Sequence, residues 1–269
     1  MVDVEVCVRL AEDEVCEGLA WESAPLEMLY AAEPWRIFRW YMGQKHYSGS
    51  YWSCTQSDHV IYESRLELAR LLYADFDRDV TAIVAQPFLL RADVDGALRR
   101  HIPDYLMATT MGPLVVDVKP RHRVARPEHA LTFAWTREAV ESRGWRYEVW
   151  SEPPDAELAN VRFLAGYRRD WLFEPDPPEE IFEPALTEEM DGEAVGEEPP
   201  PDRLFDPVIL DGVRDRVVGG DTLGEAFACL PERPAPLVRA AVLHLLWKQQ
   251  WLTDLSVPLS ARSVLRTAW

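Results

Sequence analysis

The sequence lacks the signatures of membrane insertion, secretion and disulfide stapling. Its 269 residues contain no apolar run of the length, about 18 residues, that a membrane-spanning helix needs. The N-terminal residues are acidic and lack the basic start and apolar core of a signal peptide. The four cysteines form no CxxC pair, which argues against a zinc site or a disulfide framework. We therefore expect a soluble protein of a reducing compartment.

Several catalytic motifs are also missing. The sequence has no GxxxxGK[ST] stretch, so ATP hydrolysis at a P-loop is not predicted. It has neither GxSxG nor HExxH, which removes the usual signatures of serine hydrolases and zinc proteases. Any catalytic site must be sought in other residue combinations.

Acidic residues are abundant but unevenly placed. The formal net charge is −18, and two segments carry most of it: residues 1–34 hold nine acids and one base, and residues 171–202 hold twelve acids and no base. The rest is close to neutral, with basic clusters at Arg99-Arg100-His101 and Arg121-His122-Arg123. Because the local field matters more than the total charge, the acidity does not exclude a role in nucleic-acid processing.

Composition divides the chain into four parts. We predict an acidic N-terminal segment over 1–34, either a folded flap or a partly ordered tail, and an α/β domain with a mixed sheet over 35–170. An acidic, proline-rich linker is predicted over 171–203. Residues 204–269 predict three short helices, followed by a β-ribbon over 254–259. This small domain fits a winged helix or a generic helical cap equally well.

Periodicity predicts the elements of the α/β domain. A β-hairpin is expected near residues 34–53, with turn signals at Gly43 and Ser48-Gly49. A helix is predicted over 57–77 and a strand over 80–92, which Pro87 marks as an edge or a bulge. Two strands joined by a turn follow over 96–109 and 113–120, then a second helix over 126–144 and a last strand over 145–151. In the C-terminal domain, Thr222 and Glu225 form a capping-box pattern at a helix start.

The stretch HIPDYLMATTMGPLVVDVKP, residues 101–120, places charged side chains in an apolar strand pair. Asp117 and Lys119 are two residues apart and point to one face of a strand, and a turn can bring Asp104 alongside Asp117. Neighbouring carboxylates repel unless a cation or a proton lies between them. Mg²⁺ binds such carboxylates and contacts substrate phosphate. The stretch therefore predicts a metal site, to which Glu67 on the preceding helix could add a third carboxylate.

A structural interpretation is available for each residue alone. Asp117 and Lys119 could form a salt bridge on a strand face, with Asp104 exposed in a turn. The ordered combination is much rarer: an acid-bearing helix, Pro-Asp, twelve residues and then Asp-x-Lys at the end of an apolar strand. This order favours the metal site.

The ordered set resembles the PD-(D/E)xK nuclease superfamily, with Pro103-Asp104 as its "PD" and Asp117-Val118-Lys119 as its "DxK". Together with YESRLELARLLYADFDRDVTAIVAQPF and NVRFLAGYRR, it is similar to the TnsA endonuclease subunit of heteromeric transposases, over roughly residues 35–170. The resemblance implies a restriction-endonuclease-like mixed sheet flanked by helices. The chain departs from the family at Asp117, where Glu or Gln is frequent.

The resemblance also implies a chemistry and a set of partners. Glu67, Asp104 and Asp117 would bind Mg²⁺, for which Mn²⁺ could substitute, and Lys119 would be the catalytic lysine. The protein would cut duplex DNA at the 5′ ends of a transposon, with an RNase H-like transposase joining the 3′ ends and an AAA+ ATPase as regulator. It would work in the bacterial cytoplasm, at the nucleoid when in complex, and not at a membrane.

Further residues are candidates for supporting the site or contacting DNA: Glu63, Gln86, Arg99, Arg100, His101, Arg121 and Arg123. Gln86 fits equally well as an amide that caps a strand end, whereas Glu63 fits better as a solvated acid of the helix. Two other classes of protein remain open: a stand-alone restriction or repair nuclease of the same superfamily, and a non-catalytic scaffold.

Overall fold

A computed structural model describes most of the chain, over residues 4–11, 14–36, 47–169 and 207–267. The chain divides into two compact units, Met1–Arg162 and Phe163–Trp269. The predicted linker, 171–203, lies outside the described residues. Among the helices of the described ranges, none is both long and apolar enough to cross a membrane.

The elements follow one another as a mixture of strands and helices. In chain order they are β1 (Val4–Ala11), β2 (Glu14–Ala20), a 3-10 turn (Trp21–Ser23), α1 (Leu26–Tyr30), β3 (Gly49–Ser53), β4 (Asp58–Tyr62), α2 (Arg65–Phe76), β5 (Val80–Ala85), β6 (Leu89–Val94), β7 (Ala97–His101), β8 (Tyr105–Thr109), β9 (Leu114–Val118), α3 (Arg121–Val124), α4 (Pro127–Ser142), β10 (Arg146–Trp150), α5 (Asp155–Leu164), a 3-10 turn (Ala165–Tyr167), α6 (Pro207–Arg216), α7 (Leu223–Phe227), α8 (Ala235–Trp247), β11 (Trp251–Leu252) and β12 (Arg266–Thr267).

Two four-stranded sheets organise the first unit, with strand orders β2-β1-β6-β7 and β10-β9-β8-β5. The first sheet is antiparallel, whereas β9 and β10 are parallel, so the second sheet is mixed, as predicted. Strands β3 and β4 form a separate hairpin. Because β1 pairs with β6, the described part of the acidic N-terminal segment is folded into this unit.

The helices of the first unit start and end at recognisable signals. Helix α2 begins after Ser64, whose hydroxyl accepts a hydrogen bond from Glu67 N at 3.1 Å. Helix α4 begins with Pro127 at its first position, where a missing N–H costs nothing. It ends just before Gly144, whose φ of 72° suits the left-handed backbone that follows many helices. The prediction of a helix ending at Gly144 is confirmed.

The core of the first unit draws on both sheets. It joins β1, β6 and α4 to one face of the second sheet, through Val84, Leu106, Val115 and Tyr147. Side chains alternate along a strand, so Asp117 projects from the same face as Val115. A carboxylate therefore ends an otherwise apolar row.

The predicted helix over 57–77 and the predicted hairpin were wrong in their boundaries. Residues Asp58–Tyr62 form β4 and pair with β3, and the helix starts only at Arg65. Gly43 lies outside the described residues, and Gly49 lies in β3 rather than in a turn. A side chain on Gly49 would collide with Tyr62 Oη on the paired strand, so the glycine makes room for that ring.

Two predicted strands each proved to be two. The stretch 80–92 breaks at Gln86, with φ of 48°, and at Pro87, so that β5 and β6 belong to different sheets. The stretch 96–109 breaks between β7 and β8 in the same way. Pro87 therefore marks a change of sheet rather than an edge or a bulge.

Residues 207–267, the described part of the second unit beyond the predicted linker, form three helices, as predicted. The capping box of Thr222 and Glu225 at the start of α7 is confirmed. The predicted ribbon over 254–259 was wrong, because β11 pairs with β12 at Arg266–Thr267 instead. Asp254 accepts hydrogen bonds from both the backbone N–H and the hydroxyl of Ser256, which turns the chain where a strand was expected.

Candidate active site

The register of β8 and β9 places two aspartates side by side. Tyr105 pairs with Val116 in an antiparallel ladder, and continuing this register sets Asp104 opposite Asp117. Asp104 Oδ2 accepts a hydrogen bond from Val118 N at 2.6 Å, which fixes its carboxylate at the end of β9. The proximity predicted for Asp104 and Asp117 is therefore present.

These aspartates line a cavity of about 420 Å³, here called the carboxylate cleft. It collects seven of the eleven residues singled out in the sequence: Glu63, Glu67, Arg100, His101, Asp104, Asp117 and Lys119. Its other walls are Arg36, Leu89, Ile102, Val118, His129, Thr132 and Phe133. Strand ends, the start of α2 and the start of α4 thus meet in one cleft.

Asp117 is 2 % exposed and is held by two donors. His101 Nε2 lies 2.8 Å from Oδ1 and 2.9 Å from Oδ2, and Tyr147 Oη donates to Oδ2. Burial, with the neighbouring Asp117 charge second, raises the pKa of the Tyr147 hydroxyl, so it remains a donor. The simple salt bridge between Asp117 and Lys119 is not what the structure shows.

The carboxyl of Asp104 is placed where its charge is unfavourable. Burial raises its pKa, and the charges of Asp117 and Glu67 raise it further. The Val118 N–H and the Lys119 charge act in the opposite direction. A cation between the two aspartates would relieve this repulsion.

The chemistry of the donors fits a hard divalent cation. Mg²⁺ commonly takes one or two carboxylates and completes its shell with water and phosphate oxygens. Asp104 and Asp117 provide that number. Within the described ranges, however, no three His, Cys, Asp or Glu side chains converge as a ready-made metal-binding group.

Glu67 has a local structural task. Its Oε2 accepts from Glu63 N at 2.6 Å and its Oε1 accepts from Ser64 Oγ at 2.8 Å, so it closes the first turn of α2. Burial raises its pKa, and the hydrogen bonds from Glu63 and Ser64 lower it. These contacts account for its position without a metal, although it also faces the carboxylate cleft.

Gln86 lies behind the cleft wall and connects it to the chain around Arg36. Its Nε2 donates to Glu63 Oε1 at 3.0 Å, and its Oε1 accepts from Arg36 N at 2.9 Å. Arg36 in turn pairs with Glu63 Oε2 at 2.6 Å. The backbone N–H of Gln86 donates to Asp104 O at 2.8 Å, so Gln86 supports the segment that carries Asp104.

The four predicted arginines lie in four different places. Arg100 lines the carboxylate cleft. Arg123 lines an adjoining cavity of about 600 Å³, here called the basic cleft, which shares Arg36, Glu63, Glu67, Val118 and Lys119 with the first. Arg121 lines a third cavity, where its backbone N–H donates to Glu152, and Arg99 lies on exposed β7 outside all three.

Sequence reasoning missed Tyr147, Arg36 and His129. Tyr147 reaches Asp117 because β10 pairs in parallel with β9, and no local sequence pattern predicts that pairing. The alternation in RYEVW was the available signal, since it places Tyr147 and Val149 on one face of a strand. His129 enters the cleft from the start of α4.

Comparison with known proteins assigns no family to the chain, so its site is described from its geometry alone. No protein-family model matches the chain, and no curated protein is significantly similar to it in sequence.

Proposed function

We propose that the chain is a divalent-cation-dependent DNA endonuclease of the PD-(D/E)xK type. Within that class, we propose a TnsA-like subunit of a heteromeric transposase that cuts the 5′ ends of a mobile element. The observation that carries the proposal is the carboxylate cleft, in which Asp104 and Asp117 lie opposite each other with Lys119 on the same wall. The mixed sheet is consistent with a restriction-endonuclease-like fold.

The carboxylates and the lysine of the cleft would each have a role in phosphodiester hydrolysis, and Tyr147 would support them. A bound Mg²⁺ or Mn²⁺ would polarise the phosphate and make water nucleophilic at neutral pH. Asp104 and Asp117 would hold the cation, with Glu67 close enough to add its charge. Lys119 would stabilise the negative charge that develops on the attacked phosphate. Tyr147 would keep the Asp117 carboxylate oriented.

The distribution of basic side chains supports a polynucleotide substrate. Arg100 and His129 line the carboxylate cleft on one side, and Arg123 lines the basic cleft on the other. Lys119 and Glu67 belong to both clefts. An internal phosphodiester has further phosphates on both sides, so this layout favours an endonuclease over an enzyme for terminal phosphates. Such contacts predict binding that weakens with salt.

The second unit fits a winged helix used for protein contact. Its order is α6, an isolated bridge of Thr222 to Val264, α7, α8, β11 and β12, which is the order of helices and strands in winged helices. Val238 and residues 240–247 of α8 are buried, so this helix offers little surface to a DNA groove. We propose an AAA+ regulator or the RNase H-like transposase as its partner.

A nicking assay tests the proposal. The full chain, supplied with the partner transposase and DNA carrying the element ends, should cut the 5′ ends only when Mg²⁺ or Mn²⁺ is present. Asp104→Ala, Asp117→Ala and Lys119→Ala should each lower the rate by at least about 10²-fold, as for loss of one electrostatic partner of a reaction. The exposed Asp93 provides a matched control, and Asp93→Ala should cut normally.

The same assay separates the alternative classes. Cutting of DNA without the transposase would indicate a restriction- or repair-type nuclease. Complex assembly without any cation-dependent cutting would indicate a scaffold. Persistent 5′ cutting by Asp117→Ala would show that the site is assigned wrongly.

A further inference from the structure

Both oxygens of the Asp117 carboxylate are in contact with one imidazole nitrogen. His101 Nε2 lies 2.8 Å from Oδ1 and 2.9 Å from Oδ2, so it stands almost equally far from the two. Against an ionised carboxylate, which only accepts, this nitrogen is the donor. The position between two carboxylate oxygens is also the position that a cation bound by both oxygens takes.

Tyr147 holds the same carboxylate in a different way. Its hydroxyl donates to Oδ2 alone, from β10 at the edge of the second sheet, where the Tyr147 side chain packs into the core. A donor on one oxygen leaves the space between the oxygens open. Tyr147 can therefore remain in place when a cation binds, whereas His101 cannot keep its contact with both oxygens.

The His101 ring is supported but not enclosed. It meets the ring of Trp135 edge to face, with centroids 6.3 Å apart and planes at 83°. Its side chain is 18 % exposed and lines the carboxylate cleft, whereas Asp117 is 2 % exposed. The ring therefore has open space beside it into which a rotation about its side-chain bonds can carry it.

We propose that His101 is an exchangeable counter-group for Asp117: it holds the carboxylate until a divalent cation binds, and the cation displaces it while Tyr147 stays. This inference rests on the proposed function, because it takes Asp117 to be a cation ligand. His101 is then a positioning residue that lowers the affinity for the cation. It competes with the cation and is not one of its ligands.

Cation binding to the full chain tests the competition without any measurement of cleavage. Mn²⁺ would be titrated, by electron paramagnetic resonance and by calorimetry, into the wild-type protein, His101→Ala and Tyr147→Phe. Loss of a hydrogen bond to a charged group should make His101→Ala bind Mn²⁺ about tenfold more tightly. Tyr147→Phe should bind no more tightly than the wild type. His59→Ala removes an exposed imidazole outside the cleft and should leave the affinity unchanged.

His101→Phe keeps a ring against Trp135 but removes the N–H, so it serves if the alanine variant does not fold cooperatively. Equal affinity in the wild type and both His101 variants would overturn the competition. Weaker binding by these variants would overturn it as well, because His101 would then be a ligand. If the wild type and every variant fail to bind Mn²⁺ at millimolar concentrations, the proposed function fails, and this inference fails with it.

Discussion

Asp75 and Asp104 are two shielded aspartates of the first unit with opposite surroundings. Asp75 lies near the end of α2 and accepts five hydrogen bonds from β3 and the turn that follows it, at 2.7–3.1 Å. The donors are Tyr51 Oη, Ser53 Oγ, Cys54 N, Thr55 N and Thr55 Oγ1. Asp104 accepts from Val118 N and shares its cleft with three other carboxylates, those of Glu63, Glu67 and Asp117. The first acid is surrounded by donors and the second by other acids.

The same contrast separates the two capping glutamates. Glu67 and Glu225 each stand three residues after a hydroxyl N-cap and bond back to it. Burial raises the pKa of Glu67, whereas the hydrogen bonds from the backbone and side chain of Thr222 lower the pKa of exposed Glu225. The glutamate of the same capping motif therefore has a raised pKa where it is buried and a lowered pKa where it is exposed.

This contrast distinguishes carboxylates that stabilise the fold from carboxylates that the fold tolerates. A carboxylate enclosed by donors contributes to stability, because its charge is compensated within the protein. Crowded carboxylates cost stability and persist where a ligand or a reaction uses them. Substitutions that remove charge but keep shape separate the two cases.

Asp75→Asn should have the largest effect on stability. An amide cannot accept from all the donors that now surround the carboxylate, so buried N–H and O–H groups lose their partners. The free energy of unfolding should fall by about 3 kcal/mol, which urea denaturation followed by tryptophan fluorescence would measure. The exposed Asp93→Asn is the control and should change little. A loss below about 0.5 kcal/mol would mean that the hairpin does not depend on this charge.

Asp104→Asn should act in the opposite direction. Removing one of three neighbouring negative charges relieves repulsion in a shielded site, while the side-chain oxygen can still accept from Val118 N. We expect a gain of about 1 kcal/mol at neutral pH with EDTA present, with loss of cutting activity. Destabilisation by the same amount would show that Asp104 belongs with Asp75 rather than with a functional site.

The sequence predicted the pair Asp104 and Asp117 because both residues lie in one strand–turn–strand stretch. Their register depends on neighbours in the chain, and the alternation of β9 fixes the face of Asp117. The hydrogen bonds to Asp75 could not be predicted in this way, because their donors lie 20 to 24 positions before it in the sequence. These donors belong to a hairpin and its turn, and the second strand of that hairpin was predicted as the start of a helix. Tyr147 was missed for a similar reason, because α4 separates its strand from β9.

The predicted strand boundaries were wrong where the chain passes from one sheet to the other. Gln86-Pro87 and the segment between β7 and β8 each interrupt an apolar pattern that continues in sequence but not in space. Periodicity records which residues are buried and does not record which layer buries them. The helix start at Ser64 was available from the capping pattern Ser-x-x-Glu, and the equivalent Thr-x-x-Glu occurs at Thr222.

The two N-caps offer a smaller and matched test. Ser64→Ala and Thr222→Ala each remove a hydroxyl that accepts from the backbone N–H three residues later. Each should destabilise its own helix by about 1 kcal/mol, visible as faster amide hydrogen exchange in α2 or α7. Similar costs would show that the local motif is equivalent in both places. A much larger cost at Ser64 would instead show that the cap also supports the carboxylate cleft.

The pH dependence of Glu225 should give the smallest effect. Hydrogen bonds from Thr222 lower its pKa below the ordinary value of 4.5, so its contribution to stability is present above the unfolded-state pKa and is lost as pH falls through the lowered one. An NMR titration of the Glu225 carboxyl should find that lowered pKa, and Thr222→Ala should return it toward the ordinary value. The protection factors of the α7 amides, which compare exchange with the intrinsic rate at each pH, should fall in acid in the wild type, and this acid-induced change should be absent from Glu225→Gln. A carboxyl that titrates at or above its ordinary value would remove the contrast with Glu67.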